Sequence, residues 1–366
     1  MKKTLDAISK TYSFIDNIIS VKFIRNMLLL YVVFFVMMYL LNFRIIPPDL
    51  YGGIFISIFI AIIMAVSLNV ATGFLGQLVL GHAGFMAIGA YTAALVALYA
   101  RDAVANNFLL FVIASLSAVV TAGIAGILVG TPALRLRGDY LGIMTLGFGE
   151  IVRVLLNNMK VTKGSLGLSV TPGIMSVPLA FWTTVVVVVF IYVFMKSRHG
   201  RAILSIREDE IAAESVGINI TKYKIMGFVI ASLFAGVGGS MYAFHVGYIV
   251  PTSFGFMKSI DIFVIVVLGG MGSITGAIFA AAFFTYIPLE LQQFESYRLL
   301  IYSALLIIVM LYRPKGLMGT AEFSVDGTIK FFRYLPKNLY NGSKFLIEKV
   351  KSFEFPSFGK KKGSDQ

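Results

Sequence analysis

Residues 51–70 read Tyr51-Gly-Gly-Ile-Phe-Ile-Ser-Ile-Phe-Ile-Ala-Ile-Ile-Met-Ala-Val-Ser-Leu-Asn-Val70, without one charged side chain. A membrane-crossing helix needs about 20 mostly apolar residues at about 1.5 Å of rise each, and this run supplies that length. Runs of the same character lie on both sides of it: Met27–Phe43, Ala83–Ala100, Phe108–Val129, Tyr140–Leu156, Val177–Met195, Ile225–Ile249 and Leu299–Leu311. A further run, Ile260–Ile287, is interrupted by Leu-Gly-Gly-Met-Gly-Ser-Ile-Thr-Gly at 268–276. Each interior Gly costs a helix up to about 1 kcal/mol against Ala, so this run reads as two half-helices around a break. Irregular backbone at membrane depth survives only where protein or a water-filled cavity covers it. The expected fold is an all-α polytopic membrane protein with about 8 full transmembrane helices plus a broken or re-entrant helical hairpin.

Composition agrees. Of 366 residues, 58% are hydrophobic and 13% charged, against about 45–50% and 25% in soluble domains. The absence of cysteine excludes disulfides, Fe–S ligation and thiolate chemistry. The formal net charge of +13 comes from basic residues between and after apolar runs, where membrane orientation explains it without nucleic acid. The first run follows Lys2, Lys3, Lys10, Lys22 and Arg25 but ends in Asn42-Phe-Arg-Ile-Ile-Pro-Pro48 with no small-residue cleavage motif, so it reads as a retained span.

With the broken run entering and leaving on one face, 24 Lys and Arg fall on one side of the membrane and 6 on the other. The positive-inside rule then puts both termini in the cytoplasm. The chain divides into a cytoplasmic segment 1–26, a transmembrane domain 27–312 with a long cytoplasmic connection at 196–224, and a basic cytoplasmic tail 313–366. The tail, with Lys360-Lys361-Lys362, reads as a segment held near anionic membrane lipid.

Three features go beyond hydropathy. The stretch Asn69–Tyr91 places Gly73, Gly76, Gly81, Gly84 and Gly89 beside polar Asn69, Gln77 and His82. Close helix packing and lining of a translocation path are both open readings of it, and likewise of Gly269, Gly270, Gly272, Ser273 and Thr275 in the break. Glu150 and Arg153, at i and i+3 within a span, share a helix face and read as an intramembrane ion pair, with a gating role as the alternative. Residues 201–216 alternate charged and aliphatic positions at helical spacing and stop at Gly217, as one short surface helix would. His82, His199 and His245 are isolated from one another, so no metal site is expected.

Taken together, these motifs resemble the permease subunits of the branched-chain amino-acid ABC transporter family, of the LivM type, from about residue 50 to Gly319. The matching stretches are Leu75–Tyr91, Leu134–Tyr140 with Thr145–Ile151, Ala212–Ile218, Ser253–Phe256, Val267–Ser273 and Arg313–Leu317, in the family's order. The resemblance implies an importer subunit, not an enzyme, that binds no cofactor itself. ATP and Mg would sit on two partner cytoplasmic ATPases, beside a second permease of similar fold and an extracytoplasmic solute-binding protein. It also implies that Glu210, Ala212, Ala213, Glu214 and Gly217 couple the chain to an ATPase, and that transport runs by alternating access along a mostly apolar path. The Gly-rich stretches here indeed lack the Lys-[Ser/Thr] ending of a phosphate-binding loop. Two positions depart from the family pattern: Ile211 stands where the wider docking motif has Glu, and Lys163 where a second Gly is usual.

Related permeases carry other amino acids, amides or urea, so substrate stays open among these. A stand-alone secondary transporter would need coupling ionisable groups in the membrane, for which Glu150 is the one candidate. An intramembrane protease would need Ser240 and His245 to meet, yet five residues apart on one helix they do not face each other. The topology is tested with single cysteines in this cysteine-free chain. Cysteines at Ser165 and Ser253 should react with an impermeant thiol reagent in whole cells and those at Ser205 and Ser343 should not; the reverse pattern contradicts it.

Overall fold

In apolar surroundings a backbone can satisfy its N–H and C=O groups only within itself, and the apolar runs accordingly fold as helices. The structure, a computed structural model, describes residues 48–290 except 105, 135–137 and 171–173, together with 316–319 and the single positions 35, 303, 307 and 311. The expected spans Met27–Phe43 and Leu299–Leu311 lie outside the described residues apart from those single positions, as do 1–26 and 320–366.

The elements are α1 (Pro48–Asn69), running on through a π-helical turn at Val70–Phe74, α2 (His82–Ala100), α3 (Asn107–Ala133), α4 (Asp139–Asn158) and α5 (Val177–Lys196). Next come α6 (Arg198–Glu208), α7 (Glu210–Ser215), α8 (Ile220–Val246), α9 (Phe256–Gly269) and α10 (Ile274–Glu290). Among the described residues, seven helical stretches are long and apolar enough to cross a membrane, and Ile274–Pro288 is a shorter apolar helix. The break in the long apolar run is present at Gly270–Ser273, but what it separates are helices of 14 and 17 residues packed against each other. One small sheet departs from an all-helical reading: β1 (Leu168–Ser169) pairs antiparallel with β2 (Tyr248–Ile249), tying the loop after α4 to the loop after α8.

Helix α8 sits at the centre, packed on α1, α2 and α3. Its small residues permit backbone contact. A Cβ on Gly89 of α2 would strike the Gly236 backbone, and one on Gly236 would lie 2.6 Å from the Ala118 carbonyl of α3. The outward faces of α3, α4 and α5 carry exposed Leu116, Val120, Ile124, Ile143, Ile151, Val186 and Phe190. That apolar belt is what lipid requires and water would oppose.

Lys163 is the one non-glycine among the described residues with positive φ, at 57°. It occupies the position where the resemblance calls for Gly. A side chain in the left-handed region costs about 1–2 kcal/mol, partly offset by the entropy glycine loses on folding. Lys163→Gly should therefore raise the thermal midpoint of the purified protein by up to about 1 kcal/mol of stability, and Lys163→Val should lower it; equal midpoints would show that the loop relaxes without strain.

Candidate functional site

The break is held by a side chain from another helix. Asn69, at the end of α1 and fully buried, accepts a hydrogen bond from the Gly272 N–H at 2.9 Å through Oδ1 and donates through Nδ2 to the Ser273 carbonyl at 2.9 Å. One carboxamide thus satisfies two backbone groups that left the helix. The last carbonyls of α9 are met from the far end of the chain, where Leu317 N–H donates to Leu268 O (2.7 Å) and Met318 N–H to Gly269 O (3.3 Å). From α6, Arg207 donates through Nη1 to the Gly73 carbonyl at 2.8 Å, and its guanidinium lies where a Cβ on Gly272 would go. Gly270 and Gly272 adopt φ of 113° and 89°, so no other residue fits either position without strain.

A second irregular segment enters the bundle between α1 and α2. Residues 75–81 are non-helical, and their neighbours are hydroxyls: Leu80 N–H donates to Thr145 Oγ1 (3.1 Å) and Ala83 N–H to Ser259 Oγ (3.1 Å). His82, 1% exposed, pairs through Nε2 with Ser67 Oγ at 2.9 Å. A Cβ on Gly81 would collide with the Thr145 backbone, and one on Gly84 would lie 2.9 Å from Gly149. Within this chain Asn69, Gly81, His82, Gly269, Gly270, Gly272 and Ser273 are all buried, so their immediate neighbours are protein. Thr275 is half-buried beside Ser273 Oγ at 3.2 Å. Gln77 is set apart from that group, half-buried in a polar cavity of about 380 Å³ shared with Asp209, Glu210 and Lys224.

The long connection is two helices, not one. Asp209 breaks it with extended backbone (φ −158°, ψ 113°), and its carboxylate caps α7 by accepting from Ile211 and Ala212 N–H at 2.8 and 3.0 Å. Helix α6 buries Ile203 and Ile206 against the bundle. In α7 the inward residue is Ala213, 4% exposed, while Ile211 and Val216 are 81% and 76% exposed. Ala213 is thus part of this chain's own packing; Ala212, Glu214 and Gly217 are exposed. Glu210 is engaged internally, its Oε1 2.5 Å from Nζ of the buried Lys224 of α8.

Glu150 and Arg153 of α4 do meet, Nε to Oε2 at 2.7 Å, and Glu150 Oε1 also accepts from the Phe256 N–H at 3.1 Å. The carboxylate therefore caps the first turn of α9, where the helix dipole favours negative charge. Beside it is a cavity of about 470 Å³ reached by Thr252, Ser253, Lys258 and Asp261. Lys258 and Asp261 also border a second cavity of about 400 Å³, walled by Ile60, Met64, Ile265 and Phe284, with Ser57 and His245 at 3.2 Å from each other. His245 is thus partnered by Ser57, and Ser240 by Ser115 (3.1 Å), so the two do not form a nucleophile–base pair.

A family model described as the branched-chain amino acid transport system permease component matches residues 50–310. The high-affinity branched-chain amino acid transport system permease protein LivM of Salmonella typhimurium is 38% identical over 294 residues, 71% of this chain and 68% of that protein. LivM of Escherichia coli is 38% identical over 296 residues with the same two shares. The chain belongs to this permease family. LivH of Escherichia coli, a second permease of the same system by its name, is 26% identical over 282 residues, covering 71% of this chain and 91% of that protein. The permease is an integral membrane transport subunit, not an enzyme.

Its sequence hides three residues that the geometry brings forward. Arg207 looked like one charge among many on a surface helix, and nothing in the spacing signalled its reach to Gly73. Lys258 and Asp261 did carry a signal, an i, i+3 charge pair at the start of an apolar run, obscured by starting that run at Ile260. They also give the membrane region ionisable groups besides Glu150. The role of Asn69 is tested by Asn69→Ala, which strands the Gly272 N–H and Ser273 C=O and should cost about 1–3 kcal/mol for each in thermal unfolding of the detergent-solubilised protein. Gln77→Ala serves as the control, with a small effect expected; equal effects would contradict the assignment.

Proposed function

We propose that the permease forms one half of the membrane channel of an ATP-driven importer for branched-chain amino acids, paired with a second, LivH-like permease. Two cytoplasmic ATPases, carrying ATP and Mg, drive it, and an extracytoplasmic solute-binding protein delivers and selects the substrate. The names of the relatives support the substrate class, and urea or short amides are the alternative cargo. The observation that carries the mechanism is the Arg207–Gly73 hydrogen bond, because it attaches the α6–α7 segment to the end of α1 where that end lies against the helix break. A push on α7 then moves the ends of α1, α9 and α10 together, and the cavity they border opens alternately to the two sides.

The orientation has support of the same kind. Segments that the charge count puts in the cytoplasm converge at one end: Gly76 and Gly272 both lie against Arg207, Gly138 shares a cavity with Asp209, and Gly319 lies against Gly270. The loops assigned outside pair as β1 and β2 at the other. Helices α9 and α10 form the expected hairpin in this reading, since Ile262 and Ile265 of one and Phe284 and Pro288 of the other wall the same cavity.

Ile211 and Val216 supply the docking contact for an ATPase cleft, a role the exposed apolar side chains fill better than Ala213. Ile211→Asp with Val216→Asp should leave membrane insertion and thermal stability unchanged, because both positions are exposed, but abolish ATPase copurification and leucine uptake. Wild-type copurification and uptake would show that α7 is a solvated loop helix.

A further inference from the structure

The cavity between α1, α8, α9 and α10 has a chemical polarity that nothing above uses. On one side are Ile60, Met64, Ile265 and Phe284; at its rim stand Lys258 and Asp261, one turn apart on a single face of α9. Lys258 is half-buried and Asp261 exposed, and among the described residues neither closes an ion pair. Both belong to a stretch, Pro251–Gly269, long and apolar enough to cross the membrane. Both stand in the first two turns of α9, where an ionisable side chain reaches water, a ligand or the membrane interface and not the lipid interior. The same two side chains also border the neighbouring polar cavity with Glu150 and Arg153, so an amine and a carboxyl group stand where the two cavities adjoin. Its volume, about 400 Å³, falls within the range of about 300–1,000 Å³ typical of small-molecule sites.

We propose that Lys258 and Asp261 form a zwitterion-binding station in the translocation path, the ammonium of Lys258 receiving the substrate's carboxylate and the carboxylate of Asp261 its ammonium, while the aliphatic side chain enters the apolar pocket. This rests on the importer reading above and adds a substrate contact within the membrane subunit itself. The ammonium and carboxylate of an α-amino acid are bonded to one carbon and its branched chain projects from that same carbon, which is the arrangement the rim and wall present. Urea and short amides carry no such charge pair and gain nothing from the station. His245 and Ser57, already bonded to each other, complete the polar side of the wall without adding a net charge requirement. The station lies at the end of α8 away from the coupling helices, beside the loops assigned outside, where a substrate released by a binding protein would arrive first.

The test uses the whole assembly, both permeases, the ATPases and the binding protein, in proteoliposomes with radiolabelled leucine. Wild-type uptake comes first; its absence overturns the importer reading and, with it, the station. Given uptake, Lys258→Gln and Asp261→Asn should each slow the initial rate about tenfold or more with saturating loaded binding protein. Assembly and binding-protein docking should be unchanged. Lys258→Arg and Asp261→Glu should retain most of the rate, and Ile265→Phe should reduce leucine uptake more than valine uptake. Wild-type rates in the neutral variants overturn the proposal. So does equal loss in the charge-conserving variants together with loss of assembly, which would make the pair structural. Loss in the neutral variants that depends on phosphatidylethanolamine in the vesicles also overturns it, since the pocket would then be holding a lipid headgroup.

Discussion

A carboxamide that bonds a backbone donor and a backbone acceptor on another segment holds that segment at one register, and Asn69 does this to the break between α9 and α10. The constraint behind it is general. Chain that leaves a helix within an apolar bundle must find partners for its freed N–H and C=O groups, or forfeit about 1–3 kcal/mol for each. Here the partners come from two distant places, the amide of Asn69 and the backbone of Leu317 and Met318, and the missing side chain of Gly73 lets the end of α1 lie against the break. The break is therefore a junction. The end of α1, the turn between α9 and α10, residues 316–319 and, through Arg207, the α6–α7 segment all meet there.

Function follows from where that junction lies. Helices α1, α9 and α10 start or finish at it and run on to border the cavity at the other end of the bundle. In the proposed mechanism a displacement applied at α7 is carried by helices and not by a loop. The glycine contacts of α8 with α2 and α3 hold the remaining bundle against which those helices move. This division is what the proposed importer requires, with its energy source on one face and its cargo arriving at the other.

Much of this was legible from residue order alone. Spans, the break and the surface element were readable because apolar run length and glycine content are local properties. The family was readable because Leu75–Tyr91 and Val267–Ser273 are the segments whose backbone must adopt special shapes. What escaped was partnership. That Asn69 bonds Gly272 and Ser273, and His82 Ser67, cannot be read from spacing, because the partners lie on other segments. The single helix expected over 201–216 ignored the capping power of Asp209, which ends one helix and starts the next. That Ala213 is buried and Ile211 exposed was not readable either, because burial on a six-residue helix depends on what lies beneath it, a question that periodicity over so few residues cannot answer.

The central claim is that the coupling segment and the helix break move as one body. Glu208 and Met271 are exposed on either side of the junction, and the chain has no native cysteine to interfere with labelling. The distance between spin labels at these two positions, measured by double electron–electron resonance in the full assembly, should show the same narrow distribution in the nucleotide-free and ATP-bound states. A distribution that shifts or broadens when ATP binds would contradict the account, because α6 would then be sliding past the break instead of carrying it.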